Sequence, residues 1–224
     1  MKNLTRKMIT AGMAATMAAS LGIAANAEEA TYKVGICQLI QHEALDAATQ
    51  GFQDALTEKL GDRVEFDVQN ASGESVNCST IINGFVSDQV DLILANATGA
   101  LQAAVAGTSD IPILGTAVTD YATALDIDDW TGTVGGNVSG TSDCAPLDQQ
   151  AAMILELVPE AKTVGMLYCS AEPNSEYQVN VVTEALKELN HQGHSWKLSQ
   201  FANERLQEDV KRIIRLAGSD GKVK

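Results

Sequence analysis

From Lys33 to Thr116, short apolar runs alternate with stretches whose apolar residues recur every three or four positions. KVGICQL (33–39) reads as a strand, and ALDAATQGFQDALTEKL (44–60) puts Leu45, Ala48, Phe52, Ala55 and Leu56 on one helical face. RVEFDVQ (63–69) alternates as a strand, and ESVNCSTIINGFVSD (74–88) returns to helical spacing. DLILAN (91–96) is dense enough in aliphatic residues for burial on both faces; TGALQAAVAG (98–107) then reads as a small-residue helix and IPILGT (111–116) as a strand. The order β-α-β-α-β-α-β predicts an α/β fold, a parallel sheet with right-handed crossovers and helices on both faces. Between Tyr121 and Ser142 the helical period lapses and Gly, Thr and Asp accumulate, which predicts loop, one strand in TGTVGGNVSG (131–140) and passage into a second lobe. Alternation resumes with a helix at 145–157, the strand TVGMLYC (163–169) and the helix EYQVNVVTEALKEL (176–189). The units VGIC…FQDALTEKLG and VGMLYC…VTEALKELN share a plan, as two similar lobes would, or as any two βα units do by chance.

The N-terminus changes the picture of compartment. Lys2, Arg6 and Lys7 precede the apolar run Met8 to Ala25, and Ala25-Asn26-Ala27 has the small-x-small form of a cleavage site, so 1–27 is expected to be a signal peptide and the protein exported to the periplasm or cell exterior. The run is rich in Ala and Gly rather than Leu, which weighs against a membrane anchor. Charge is uneven. Residues 28–190 hold 25 acidic against 5 basic side chains, while 191–224 hold 7 basic against 4 acidic. An acidic body repels nucleic acid and anionic lipid, so neither is an expected partner. Cys37, Cys78, Cys144 and Cys169 show no metal-binding spacing and read as buried thiols; Cys144 with Cys169 is the pair to test first, since each falls at a polar junction.

Ligands of open parallel sheets bind beyond the carboxyl ends of the strands. Here those ends are Gln38 to Glu43, Asn96 to Thr98, Thr116 to Asp120 and Cys169 to Ser175, all polar and rich in hydroxyls. Asn174 and Ser175 stand where N-caps stand, and Thr98 and Ser142 open helical stretches similarly. A helix start attracts a carboxylate by roughly 0.3 to 2 kcal/mol. Asp120 and Asp143 on facing lobes suit an ammonium group, so the set fits a zwitterion; plain helix capping is the other reading of Asn174 and Ser175. No GxSxG, GxxxxGK, GxGxxG or HExxH is present, and His42 lacks companions for a metal site, so no enzyme, cofactor or metal is expected.

Five segments in order, KVGICQLIQHEALDAATQGF, DLILANATGALQAA, IPILGTAVTDY, NVSGTSD and VGMLYCSAEPNSEYQ, resemble the extracellular solute-binding proteins of ABC importers related to tryptophan and tyrosine uptake. The resemblance runs from about Tyr32 to Leu189 and implies a type I periplasmic-binding-protein-like fold of two similar lobes, a first lobe at 28–140 and a partial second at 141–190. It implies ligand contacts from Gln38, His42, Glu43, Thr98, Thr116, Thr119, Asp120, Ser142, Asp143, Asn174 and Ser175. It also implies capture of a small solute, an amino acid and among these an aromatic one, by a monomer that serves a membrane permease. Gly99 and Tyr121 stand where the family often has Pro, and Tyr121 is expected to shape the pocket or stack on a ligand ring. The stretch 191–224 does not resemble the family's continuation, which reads as a truncated, incomplete second lobe or as an amphipathic helix with Leu206, Val210, Ile213 and Ala217 on one face. A sensory module feeding a receptor and a non-binding fragment are the alternatives.

Overall fold

The computed structural model describes residues 31–191 and 197–203. The expected signal peptide and the amphipathic tail helix lie outside these residues. The first strand, β1 (Tyr32–Gln38), leads into α1 (Glu43–Leu60). There follow β2 (Val64–Asn70), α2 (Ser75–Ser87), β3 (Leu92–Asn96), α3 (Thr98–Gly107), β4 (Ile113–Val118) and the single-turn α4 (Tyr121–Ala124). Then come β5 (Val138–Ser142), α5 (Leu147–Leu157), β6 (Thr163–Cys169), α6 (Pro173–His191) and β7 (Lys197–Asn203). Five strands form a parallel sheet in the order β2-β1-β3-β4-β5, and β6 pairs in parallel with β7 in a second, two-stranded sheet. The α/β architecture with helices on both faces of a parallel sheet is therefore the one that the periodicity predicts.

Alternation along the strands divides the first sheet's core in two. Val34, Ile36 and Leu94 face α1, where Phe52 and Leu56 cover them. Cys37, Ile93, Ala95, Ile113 and Val118 point the other way, onto a larger layer built by Cys78, Ile82 and Phe85 of α2, Ala100, Leu101 and Ala104 of α3, and Tyr121 and Ala124 of α4. One face thus carries a single long helix and the other three. A third, smaller core holds Ala151 of α5 and Leu186 of α6 against Val164 and Met166 of β6. Both sheets belong to one compact unit starting at Tyr32, and α4 packs on α6 where they meet. Among the described residues, no helix is long and apolar enough to cross a membrane.

Three local readings need correction. The strand expected within 131–140 lies at Val138–Ser142, because pairing with β4 starts at Ile113↔Val138, past the Gly-rich stretch. Ser142 therefore ends a strand instead of opening a helix; α5 starts five residues on, behind Pro146. The helix expected from 176 begins at Pro173, whose fixed φ suits a first helical turn where its missing N–H is no loss, so Asn174 and Ser175 lie inside that turn rather than before it. Lys197–Asn203, within the stretch read as a divergent tail, is a strand in register with β6 from Thr163↔Lys197 to Cys169↔Asn203.

Candidate functional site

Register lines up the ends of the central strands, with Gln38 beside Asn96 and Asn96 beside Thr116. Behind this row lies a buried polar network. Thr49 Oγ1 donates to Gln38 Oε1 (2.7 Å), and Asn96 Nδ2 donates to Thr49 Oγ1 (2.9 Å) and to the Leu45 carbonyl (2.8 Å). Gln38 Nε2 donates to Asp46 Oδ1 (2.6 Å) and to the Ile40 carbonyl (2.9 Å). Gln38 is 5% exposed and all its amide groups are engaged, so it ties the ends of β1 and β3 to the first turns of α1. Asn96 Oδ1 is buried without a protein partner.

His42 and Glu43 follow on the exposed side of that turn. His42 caps α1, its Nδ1 accepting from Ala44 N at 3.2 Å, and Glu43 opens the helix at its positive end. Thr98 is the first residue of α3 and is buried. Ala97 before it has φ 92°, and Ala117 beside the end of β4 has φ 53°. Both conformations are unfavourable for a residue with a Cβ, and such strain concentrates at binding and catalytic sites.

The next loop brings the two sheets together. Asp120 caps α4, its Oδ1 accepting from Thr123 N at 2.7 Å. Ser142 Oγ donates to the Thr119 carbonyl (3.0 Å), and Asp143 N donates to the Val118 carbonyl (2.7 Å), so 142–143 is clamped against 118–120. The Cys144 thiol is pushed up first by partial burial and then by the carboxylates of Asp120 and Asp143. Across from them, the Tyr177 phenol of α6 is raised by burial, by Asp120 and by Cys144. Tyr177 lies one helical turn beyond Asn174, on the same face. Ser175 Oγ donates to Glu172 Oε2 (3.0 Å) at the head of that helix.

Asp120, Ser142 and Asp143 are thus brought to the start of α6, which carries Asn174 and Ser175. Thr119 adjoins them and Thr116 lies beside Asn96, both half-buried. Gln38, His42 and Glu43 belong to the β1–α1 corner. Tyr177 is the residue sequence reasoning missed; its position three after Asn174 in a helical segment is the signal that points to it. Tyr121, expected in the pocket or against a ligand ring, is buried instead: it packs on Gly115 and Gly140, and its hydroxyl donates to the Thr141 carbonyl at 3.3 Å. A glycine on each strand makes room for its ring end, which draws the side chain into the core.

Two cavities open on the flanks of α1, of about 670 Å³ over β1 and β2 and about 350 Å³ over β4 and β5. They hold only Gln38 and Thr116 of the candidate residues, so neither is the meeting point around Asp120. Among the described residues, no group of three His, Cys, Asp or Glu is placed to hold a metal ion. The charged groups gathered here are the carboxylates of Asp120 and Asp143, with Glu172, the Tyr177 ring and the start of α6 opposite.

Comparison with known proteins bears on this geometry. The profile of the family described as ABC transporter substrate binding protein matches residues 33–215, past Leu189, to which the resemblance runs, and through β7. A tyrosine-binding protein of Clostridioides difficile (strain R20291) is 41% identical over 162 residues, which is 71% of this chain and 47% of that protein. An ABC domain solved with L-Trp, from Streptococcus pneumonia, superposes with a TM-score of 0.74 at 30% identity, covering 84% of this chain and 63% of that one. A leucine-binding protein of Thermotoga maritima is 18% identical with a TM-score of 0.57, covering 83% of this chain and 53% of that one, a likeness of type I fold alone. The chain spans about half the length of the curated relative it matches.

Proposed function

The chain belongs to the ABC transporter substrate-binding protein family, and on that premise we propose that it is an exported solute-binding component of an ABC importer, taking up an amino acid with an aromatic side chain. The observation that carries this reading is the neighbourhood shared by Asp120, Asp143 and Tyr177. The carboxylates would receive the ligand's ammonium group. The first turn of α6, with Asn174 and Ser175, supplies the positive end of a helix dipole for its carboxylate. Tyr177 offers a ring edge or face for an aromatic side chain. Tyrosine and tryptophan are the ligands named for the relatives with the higher identities described above, which supports that class. Binding by two facing elements implies closure on the ligand, the form a permease would receive.

Isothermal titration with L-Tyr, L-Trp, L-Leu and tyramine tests the reading. Heat is expected with L-Tyr or L-Trp, and weaker binding with tyramine, which lacks the carboxylate. Asp120→Asn keeps an N-cap of equal quality but removes the charge. It should weaken binding about 10- to 100-fold, the size of a lost charge-assisted hydrogen bond. Absence of heat for every amino acid at millimolar concentration, from protein with an intact circular dichroism spectrum, would overturn the proposal.

A further inference from the structure

Neither the family nor the ligand site accounts for Cys37 and Cys78. Both are fully buried in the same core layer. Cys37 is two residues after Gly35 on β1, hence on the same face, while Cys78 and Phe85 are seven residues, about two turns, apart on α2. A Cβ added to Gly35 would lie 2.6 Å from the Phe85 ring. With Phe85 over Gly35, α2 runs antiparallel to β1 and brings Cys78 over Cys37; their thiols are in side-chain hydrogen-bond contact. The backbone holds this arrangement at the Cys78 end. Ala71 N donates to the Gln38 carbonyl (2.9 Å) and Gly73 N to the Leu39 carbonyl (2.8 Å), tethering the approach to α2 to the end of β1. By contrast Cys144 is exposed and Cys169 is buried.

We propose that Cys37 and Cys78 form a reversible intramolecular disulfide that fastens the first turn of α2 to the carboxyl end of β1. The oxidant is a low-molecular-weight disulfide. Cys78 lies in the first turn of α2, whose positive end favours a thiolate, so Cys78 is the attacking sulfur. Its thiolate displaces one sulfur of the small disulfide, which leaves as a thiol after taking up a proton. The Cys37 sulfur, its proton passing to solvent, then displaces the second small thiol from the mixed disulfide on Cys78. Two protein thiols lose two electrons and two protons, and the oxidant gains them as two thiols. Because both sulfurs are buried, exchange requires the α2 end to open or the bond to form during folding. Cross-linking residues so far apart in the chain restricts the unfolded state, and the folded state gains stability.

The full chain is refolded in a series of reduced and oxidised glutathione mixtures, free thiols are blocked with N-ethylmaleimide, and intact mass and non-reduced peptides are recorded. Two blocked thiols and a peptide joining Cys37 to Cys78 are expected at the oxidising end. Adding dithiothreitol should lower Tm by about 10 °C, and Cys78→Ser should abolish that shift. Four blocked thiols throughout the series, or a cross-linked peptide joining Cys144 to Cys169 instead, would overturn the proposal. The peptide readout uses the native cysteines, so it stands even if Cys78→Ser fails to fold.

Discussion

The two parallel sheets are built from the same βα plan and are packed very differently. In the first, β1 and β3 are covered on both faces: Ile36 and Leu94 lie under α1, and Cys37, Ile93 and Ala95 lie under α2 and α3. In the second, β6 alternates between half-buried and exposed, and Leu167 is 42% exposed on a strand paired with β7. Parallel strands are stable when both faces are covered. The contrast teaches that the hydrophobic pattern of a strand sets which face packs, while the depth of its core depends on what flanks it.

The largest test of that contrast removes a core side chain from each sheet. Phe85→Ala should cost about 3 to 5 kcal/mol and Leu186→Ala about 2 to 5 kcal/mol, since both side chains are fully buried. Leu167→Ala should cost under about 0.5 kcal/mol, as an exposed position does. Urea melts give the sizes, and hydrogen exchange gives the location. Phe85→Ala should deprotect amides of β1 and β3, while Leu186→Ala should deprotect β6 and α6 and spare the first sheet. Loss of protection in both sheets from Leu186→Ala would erase the distinction between them.

Much of this was legible in the chain because it is local. The seven strands and helices from β1 to β4 follow directly from period and punctuation, whereas the single turn of α4 that Asp120 caps falls in a stretch read as loop. What was not legible depends on distant partners. That Gln38 is held by Thr49 and Asp46 of the next helix is a contact no local pattern shows. Tyr121 reads as a pocket residue until Gly115 and Gly140, on two different strands, open room for it in the core. β5 is displaced because its Gly-rich approach has no alternation to mark a start, and β7 is missed because KLSQFAN shows neither period clearly. Tyr177 required the fold of the loop at 142–144 to bring acidic groups to it.

A smaller effect separates strand–helix contact from open surface within the first sheet. Gly35→Ala forces a Cβ to 2.6 Å from Phe85 and should cost about 1 to 3 kcal/mol by overpacking, read as a lower urea midpoint with unchanged slope. Alkaline titration distinguishes the interior of the first sheet from the junction between sheets. Burial raises the Tyr121 phenol. The folded state then holds its proton at a pH where the unfolded chain has lost it. The associated stability is full below the unfolded value of 10.0 and falls as pH climbs through the folded value above it. Tyr121→Phe should flatten the decline above pH 10.0 in urea melts; an unchanged decline would remove Tyr121 as its source.

The smallest effect has the opposite sign. Gly51 sits within α1, and a Cβ there would meet nothing within 4 Å. Its position lies on the exposed side of the solitary helix, away from Phe52 and Leu56, which cover Val34, Ile36 and Leu94. Gly51→Ala removes backbone freedom from the unfolded chain without disturbing a contact, so it should raise stability by about 0.5 to 1 kcal/mol. The same added methyl group that disrupts the β1–α2 contact at Gly35 therefore strengthens the fold at Gly51, and a matched pair of thermal melts reads the difference. A loss of stability at Gly51 would mean that the outer side of α1 is covered, and the single-helix face of the first sheet would then be as enclosed as the three-helix face.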